Sequence, residues 1–197
     1  MKSIMIITNK YPNTTDPNVC VFVQQLVWTI ADLGYRCTVV VPLPINLNKT
    51  FMSFPKKKEE VTENGFRIIV YYPRYVSAGQ AGTLLQKMRV RFTTDRFTRA
   101  VDSVLAEFEE KPDVLYSHFI CPAGVAASRL GKKYGIPAFM AHGEATYSGG
   151  RKYGNQVLKK ELDGLKGVVA VSSQNKSYCA DNGIVSENII EVFPNGY

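Results

Sequence analysis

The residues best suited to chemistry lie in one stretch, residues 113–144, which contains both histidines of the chain. His118 and His142 each follow a short apolar run that is typical of a buried strand, and an alanine-rich segment between the runs predicts a helix. In an open parallel sheet, ligands bind just beyond the carboxyl ends of the strands. Two imidazoles at two such ends therefore mark this edge of the predicted sheet as the candidate site.

Polar groups also follow the other predicted strands. Hydrogen-bonding groups, glycine and imidazole at strand ends suit a ligand with many hydroxyls or a phosphate, and the set comprises Asn9, His118, His142, Gly143, Glu144, Ser172, Asn195 and Gly196. The sequence lacks the Gly-x-Gly-x-x-Gly fingerprint after its first strand, a P-loop and a Gly-x-Ser-x-Gly elbow, which disfavours dinucleotide, P-loop and serine-hydrolase chemistry. Two histidines without a matching carboxylate cluster give little support for a metal site.

Strands alternate with helices along the whole chain. Apolar runs predict strands at residues 3–8, 37–41, 66–72, 114–117, 137–141, 167–171 and 189–193, and helical spacing predicts helices at 19–33, 83–110, 123–134, 157–162 and 174–181. Residues 83–110 form one helix or two, with Thr94 capping the second, and residues 43–65 form an irregular, exposed excursion. The expected fold is α/β: Rossmann-like and doubly wound, a mostly parallel sheet of about seven strands with helices on both faces.

Composition is that of an ordinary globular domain, with 197 residues, 45% hydrophobic and 21% charged. No apolar run approaches the ~20 residues of a membrane span, and four widely spaced cysteines indicate reduced thiols and a cytoplasmic protein. The net charge of +7 allows a plain basic surface, an anionic small-molecule substrate, an anionic membrane or nucleic acid. Nucleic acid is the weakest of these, because no zinc finger or RNA-binding signature is present. The basic residues 87–99 and 56–58 form either a solvated face or a surface for anionic lipid.

Short motifs at these positions, weak one by one, become specific through their order and spacing. They are Tyr11-Pro12, Pro17 with Phe22-Val23-Gln24, Leu33-Gly34-Tyr35 before Val39-Val40-Val41-Pro42, Pro112-Asp113-Val114 with His118 and Pro122-Ala123-Gly124, Gly135-Ile136-Pro137 before Ala141-His142-Gly143-Glu144, Val169-Ala170-Val171-Ser172, and Val192-Phe193-Pro194-Asn195-Gly196. Across essentially all of its length, the chain resembles the N-terminal half of GT-B glycosyltransferases, in particular the retaining, nucleotide-sugar-dependent glycosyltransferase family 4.

The resemblance implies two Rossmann-like domains that face a cleft, of which the N-terminal one receives the acceptor. Residues 1–193 would be that acceptor-side domain and residues 194–197 the start of the interdomain linker, with the donor-binding domain absent from this chain and the fragment close to inactive alone. No cofactor is expected in this domain; a UDP- or GDP-sugar donor is expected for the full-length enzyme, a hexosyltransferase. Its other partners would be the missing C-terminal domain, a glycan or lipid-linked acceptor of cell-envelope or capsular polysaccharide, and the inner face of the plasma membrane.

The resemblance also assigns roles to single residues. His142 matches the histidine beside the transferred sugar, where it would supply hydrogen bonding and charge placement near the developing oxocarbenium, not nucleophilic attack; the alternative is a structural histidine satisfied within a turn. Expected acceptor-binding residues are Asn9, Tyr11, His118, Gly143 and Glu144, of which His118 is equally compatible with a structural role and Glu144 is offset from the family's acidic position. Expected at the donor phosphate or the interdomain cleft are Cys20, Ser172, Asn195 and Gly196, with helix capping the favoured use of Ser172.

Cys20 departs from the family pattern, because members often have a glycine there that lets backbone N–H groups approach the donor diphosphate. Either a neighbouring amide takes over that contact, or this loop serves the acceptor alone. Two other readings of the chain stay open. One is a non-catalytic sugar- or nucleotide-binding module, and the other is a different GT-B enzyme such as a nucleotide-sugar epimerase, for which Glu144 would be an acid–base carboxylate.

Overall fold

The computed structural model describes residues 1–45, 54–78, 85–144 and 152–194. Its strands are β1 (Ser3–Thr8), β2 (Arg36–Val40), β3 (Leu43–Ile45), β4 (Lys57–Val61), β5 (Arg67–Tyr71), β6 (Arg74–Val76), β7 (Val114–His118), β8 (Ala138–His142), β9 (Leu165–Ala170) and β10 (Ile190–Val192). Its helices are α1 (Val21–Asp32), α2 (Gln86–Ala106), α3 (Val125–Tyr134), α4 (Asn155–Leu162) and α5 (Ser173–Asp181).

Eight of these strands form one sheet in the order β10-β9-β8-β7-β1-β2-β5-β4. Every neighbouring pair is parallel except β4 with β5. Strand order runs outward in both directions from β1, which pairs with β2 on one side and β7 on the other. The topological switch point, where ligands bind in such sheets, therefore lies beyond the ends of β1 and β7.

The sheet is covered on both faces. Along β1, Met5 and Ile7 pack into one hydrophobic cluster with α2 and α3, while Ile6 packs into the other with α1. A strand whose alternate side chains enter two cores must be apolar throughout, which explains its unbroken apolar run. The predicted fold class, Rossmann-like and mostly parallel with helices on both faces, is confirmed.

The predicted irregular segment at residues 43–65 is partly wrong. Residues 46–53 lie outside the described part, but Leu43–Ile45 forms β3, which pairs in parallel with β6, and Lys57–Val61 forms β4 at the antiparallel edge of the main sheet. Only Glu60 of β4 is buried, so this edge strand carries no apolar run that could reveal it. Charged residues on an edge strand also discourage pairing with other chains.

Of the two alternatives for residues 83–110, the single helix is confirmed and the cap at Thr94 is wrong, because α2 is continuous through Thr94. Thr94 is 1% exposed, and its hydroxyl lies 3.8 Å from Cys121 Sγ. It therefore packs against the turn that follows β7 instead of capping a helix. That turn, Ile120–Gly124, has π-helical character and precedes α3.

Candidate active site

The ends of four neighbouring strands bring the candidate residues to one edge of the sheet. His118, the last residue of β7, is level with Thr8 of β1 and with Ala141 of β8. His142, the last residue of β8, is level with Ala170 of β9. Both imidazoles therefore lie at the carboxyl edge, on adjacent strands and next to the switch point.

A buried hydrogen-bond chain orients His142, whose exposed fraction is 0%. The amide nitrogen of Asn175 lies 3.3 Å from His142 Nε2 and also donates to the Glu144 carbonyl oxygen at 3.2 Å. Ser172 Oγ donates to Asn175 Oδ1 at 2.6 Å. Because the amide presents its NH2 group to the ring, Nε2 is the acceptor, and the proton of the neutral imidazole is on Nδ1. That nitrogen is 3.6 Å from Oε2 of Glu144.

Burial determines the charge of this pair. It lowers the pKa of His142 to about 4, so the imidazole is neutral near pH 7. Burial raises the pKa of Glu144 to about 7, against the opposing effect of the Ile120 backbone N–H. The site thus holds a neutral imidazole with a fixed tautomer, next to a carboxyl that exchanges its proton near neutral pH.

His118 is set among aromatic rings. Its ring centroid lies 5.1 Å from that of Phe22 and 4.9 Å from that of Phe119. Burial lowers the pKa of His118 to about 4, and its Nδ1 has no hydrogen-bond partner among the described residues. Phe119 has φ +81°, a backbone conformation that costs a non-glycine residue about 1–3 kcal/mol.

Two predicted acceptor residues are engaged within the fold. The Asn9 side chain donates to the Cys121 carbonyl at 2.9 Å and accepts from the Ala123 N–H at 3.2 Å, which fixes the end of β1 to the turn after β7. Tyr11 is 1% exposed and donates to Glu60 at 3.0 Å. Burial and the Glu60 carboxylate raise the pKa of Tyr11. For both side chains, contact with an acceptor stays a prediction.

Comparison with known proteins identifies the family. The family model for Glycosyltransferase Family 4 matches residues 19–197. The chain belongs to Glycosyltransferase Family 4. A related protein of Bacillus subtilis (strain 168), named "Putative teichuronic acid biosynthesis glycosyltransferase TuaC", is 28% identical over 178 residues, which are 86% of this chain and 44% of that protein.

Solved structures agree on a GT-B fold. The UDP-GlcNAc 2-epimerase of Methanocaldococcus jannaschii has a TM-score of 0.56 at 16% identity; the match covers 99% of this chain and 46% of the epimerase chain. Anabaena Alr3699/HepE in complex with UDP has a TM-score of 0.56 at 12% identity; the match covers 100% of this chain and 44% of the Anabaena chain. Arabidopsis thaliana UGT89C1 complexed with UDP has a TM-score of 0.52 at 11% identity; the match covers 100% of this chain and 49% of the Arabidopsis chain. The chain thus spans less than half the length of each of these proteins.

The backbone conformation of Cys20 bears on its predicted departure from the family pattern. It precedes α1 with φ 50° and ψ 42°, in the left-handed region, and makes no side-chain cap. This is the conformation that glycine adopts without steric cost, so the glycine expected in family members suits the geometry that Cys20 is made to adopt here.

The remaining predicted residues have local roles or lie outside the described part. Ser172 accepts from the backbone N–H of Asn175 as the N-cap of α5, which confirms the capping interpretation. A Cβ on Gly143 would lie 3.1 Å from Val171 Cγ1, so packing between strand ends favours glycine there. Asn195 and Gly196 are outside the described residues.

The sequence did not predict that Asn175 contacts His142, or that Phe22 and Phe119 contact His118. The sequence signal that could have found Asn175 is its position three residues after the helix cap Ser172, as in a capping box with asparagine in place of glutamate. Within the described residues, no group of three or more His, Cys, Asp or Glu side chains is arranged to hold a metal ion. None of the described helices is long and apolar enough to cross a bilayer.

Proposed function

We propose that this chain is the acceptor-binding half of a retaining hexosyltransferase. The full enzyme transfers a sugar from a UDP- or GDP-sugar to a glycan or lipid-linked acceptor in cell-envelope or capsular polysaccharide synthesis. The observation that carries the proposal is His142, fully buried and oriented by Asn175 at the carboxyl edge of a Family 4 domain. The name of the Bacillus relative and the UDP complexes of the structural neighbours support this class of substrate.

In this proposal His142 acts through its ring dipole, because its two ring nitrogens face Asn175 and Glu144. Its tautomer is set by Asn175, and a neutral imidazole presents an oriented dipole, without a full positive charge, to the transferred sugar. A preorganised dipole of this kind stabilises charge in the transition state without reorganising during the reaction. Residues 194–197 then begin the linker to the donor-binding domain, which supplies the groups that hold the nucleotide.

The test is sugar transfer by the full-length protein, measured with a panel of UDP- and GDP-sugars. We expect His142→Ala to reduce kcat by about 100-fold or more, the size of effect found when a transition-state donor is removed. The control is Thr98→Ala, because the Thr98 hydroxyl only bonds to a carbonyl of its own helix at 2.8 Å. Near-normal turnover by His142→Ala would contradict the assignment.

An epimerase is the second candidate, favoured by the proton-exchanging Glu144 carboxyl beside His142. The two functions separate when the full-length protein is incubated with UDP-N-acetylglucosamine and no acceptor. An epimerase inverts one carbon of the sugar in that mixture, whereas a transferase leaves the configuration of every sugar carbon unchanged.

We also propose that the start of α2 contacts the membrane that carries the acceptor. Leu85, Met88 and Phe92 are 49%, 69% and 39% exposed and follow helical spacing along one face. Lys87 and Arg91 flank them and are exposed. An apolar stripe edged by basic residues is the pattern of a helix that lies in an anionic bilayer surface.

The position of this stripe fits access to the acceptor. Ala78 N–H donates to Thr93 Oγ1 at 3.2 Å, and the ring of Tyr75 in β6 packs edge to face with that of Phe97 in α2, with 5.5 Å between centroids. Because β6 follows the carboxyl end of β5, the start of α2 lies at the sheet edge that holds the candidate site.

Liposome sedimentation tests this contact. We expect binding to phosphatidylglycerol vesicles, weakened by salt and by Met88→Ser, with little binding to phosphatidylcholine vesicles. Val61→Ser is the matched control, because Val61 is 55% exposed and lies on β4, away from the stripe. Equal binding by both variants would rule out the stripe as the contact surface.

A further inference from the structure

Three aromatic rings meet at the switch point, and the function proposed above does not use two of them. Phe22, in the first turn of α1, is 42% exposed, and its ring centroid lies 6.4 Å from that of Phe119. Phe119 is half-buried and packs edge-on against His118. An exposed phenylalanine beside a ligand-binding edge has no evident role in folding.

The second observation is the imidazole beneath these rings. His118 is 4% exposed, and its Nδ1 has no hydrogen-bond partner in the described part of the chain. Buried polar atoms are almost always satisfied, and leaving one without a partner costs stability. Such a nitrogen is explained if a ligand completes its hydrogen bonding.

We propose that Phe22 and Phe119 form a stacking platform for a pyranose ring of the acceptor, and that His118 Nδ1 hydrogen-bonds one of its hydroxyls. This inference rests on the proposed acceptor-binding function and names two positioning residues for it. The C–H face of a sugar ring packs on the electron-rich face of an aromatic ring, while its hydroxyls need polar partners at the rim. Phe22 is the exposed ring in contact with His118, at 5.1 Å between ring centroids, and in this proposal its side chain rotates to give the ligand access to Nδ1.

The chemistry of the platform selects against other ligands. A lipid chain would cover the rings but leave His118 Nδ1 without a partner. A diphosphate requires cations or clustered N–H donors, whereas His118 is neutral near pH 7. Aromatic faces with one uncharged polar atom suit a neutral, hydroxylated ring.

The experiment uses the 197-residue chain labelled with ¹⁵N-histidine. The chain has only two histidines, so a His118→Gln variant assigns the imidazole signals. The probes are the methyl glycosides of glucose, galactose and N-acetylglucosamine, with n-octyl phosphate as the lipid-like probe. We expect at least one glycoside to shift the His118 Nδ1 signal in a saturable titration, and octyl phosphate to leave it in place.

Variants then test the platform itself. We expect Phe22→Leu and Phe119→Leu to weaken glycoside binding about tenfold, equal to about 1.4 kcal/mol and the scale of one aromatic contact, and Phe22→Tyr to retain it. Tyr35→Leu is the matched control, because Tyr35 is a 39% exposed aromatic residue just beyond the other end of α1, and glycoside binding by this variant should be unchanged. Circular dichroism melts check that each variant is folded.

The proposal is wrong if no glycoside shifts the His118 signal, or if Phe22→Leu binds like the wild type. Its failure can be told apart from failure of the proposed transferase function. If glycosides bind but the full-length protein transfers no sugar, the proposed transferase function is wrong and the platform is supported. If transfer survives Phe22→Leu with an unchanged KM for the acceptor, only the platform is wrong.

Discussion

Acidification tests the electrostatic description of the site directly. His118 and His142 are 4% and 0% exposed, and burial lowers the pKa of each to about 4. Glu144, next to His142, has its pKa raised by burial to about 7. Since all three groups have different proton affinities in the folded and unfolded chain, folding stability must depend on pH between 7 and 4.

The three contributions have different signs. Between pH 6.5 and 4 the unfolded chain binds protons at both histidines and the folded chain does not, so stability falls as the pH falls; at about 1.4 kcal/mol per pH unit each histidine accounts for roughly 3 kcal/mol. Glu144 acts oppositely. Between pH 7 and the ordinary glutamate pKa of 4.5 the folded chain binds this proton and the unfolded chain does not, so folding gains roughly 3 kcal/mol of stability as the pH falls. The net loss from the three groups is therefore about 3 kcal/mol, a large part of a typical domain stability of about 5–15 kcal/mol.

Variants separate these terms. We expect Glu144→Gln to lose about 3 kcal/mol more than the wild type on going from pH 7 to 4, and His118→Gln to lose about 3 kcal/mol less. Urea unfolding at each pH can be followed by the fluorescence of the single tryptophan, Trp28. Other carboxylates contribute equally to all variants, so only the differences are interpreted. If wild type and Glu144→Gln lost the same stability, the description of Glu144 as a buried, neutral carboxyl at acid pH would be refuted.

Two further predictions concern residues that hold the site together. Asn175→Ala removes the amide that bonds to His142 Nε2, to the Glu144 carbonyl and to the Ser172 hydroxyl. It should lower the free energy of unfolding by about 2–4 kcal/mol in urea melts, against less than about 1 kcal/mol for the exposed control Asn182→Ala; equal losses would contradict the network. Cys20→Gly should be more stable than Cys20→Ala by up to about 1 kcal/mol, because the left-handed backbone penalises any Cβ, reversing the usual order of glycine and alanine in ordinary positions. A melt in which alanine is the more stable would show that the φ of Cys20 relaxes.

The sequence predicted the strands that carry an apolar run of useful length and missed β3 and β6, of three residues each, and the charged strand β4. Continuous apolar runs identify β1, β7 and β8 because both sides of each strand enter a core. The charged edge strand β4 buries one residue, Glu60, whose carboxylate accepts bonds from Tyr11, Gln24 and Trp28. No local sequence pattern predicts such a strand, since the residues that bond to Glu60 lie on distant segments of the chain.

The candidate site shows the same division. The positions of His118 and His142 follow from strand ends, which periodicity reveals. The environment of each histidine does not, because Asn175 is brought to His142 by α5 and Phe22 is brought to His118 by α1. The surroundings of Tyr11 could not be predicted either, because its hydroxyl donates to Glu60 on the distant strand β4, and its contact with an acceptor stays a prediction.

The charges of the described site bear on which substrate this half holds. Its imidazoles are neutral near pH 7 because both are buried, its rings at Phe22 and Phe119 are apolar, and its carboxyl at Glu144 is negative or neutral. A nucleotide diphosphate gains little from neutral rings, since it needs cations and N–H donors, whereas a hydroxylated sugar ring can pack on aromatic faces. Lys10, which interacts electrostatically with the Cys20 thiol, is a cation at the same edge and lies on the side of α1. The part of the edge that we propose for the acceptor is therefore the one formed by the two histidines and the two phenylalanines, and a donor phosphate would be favoured only outside it.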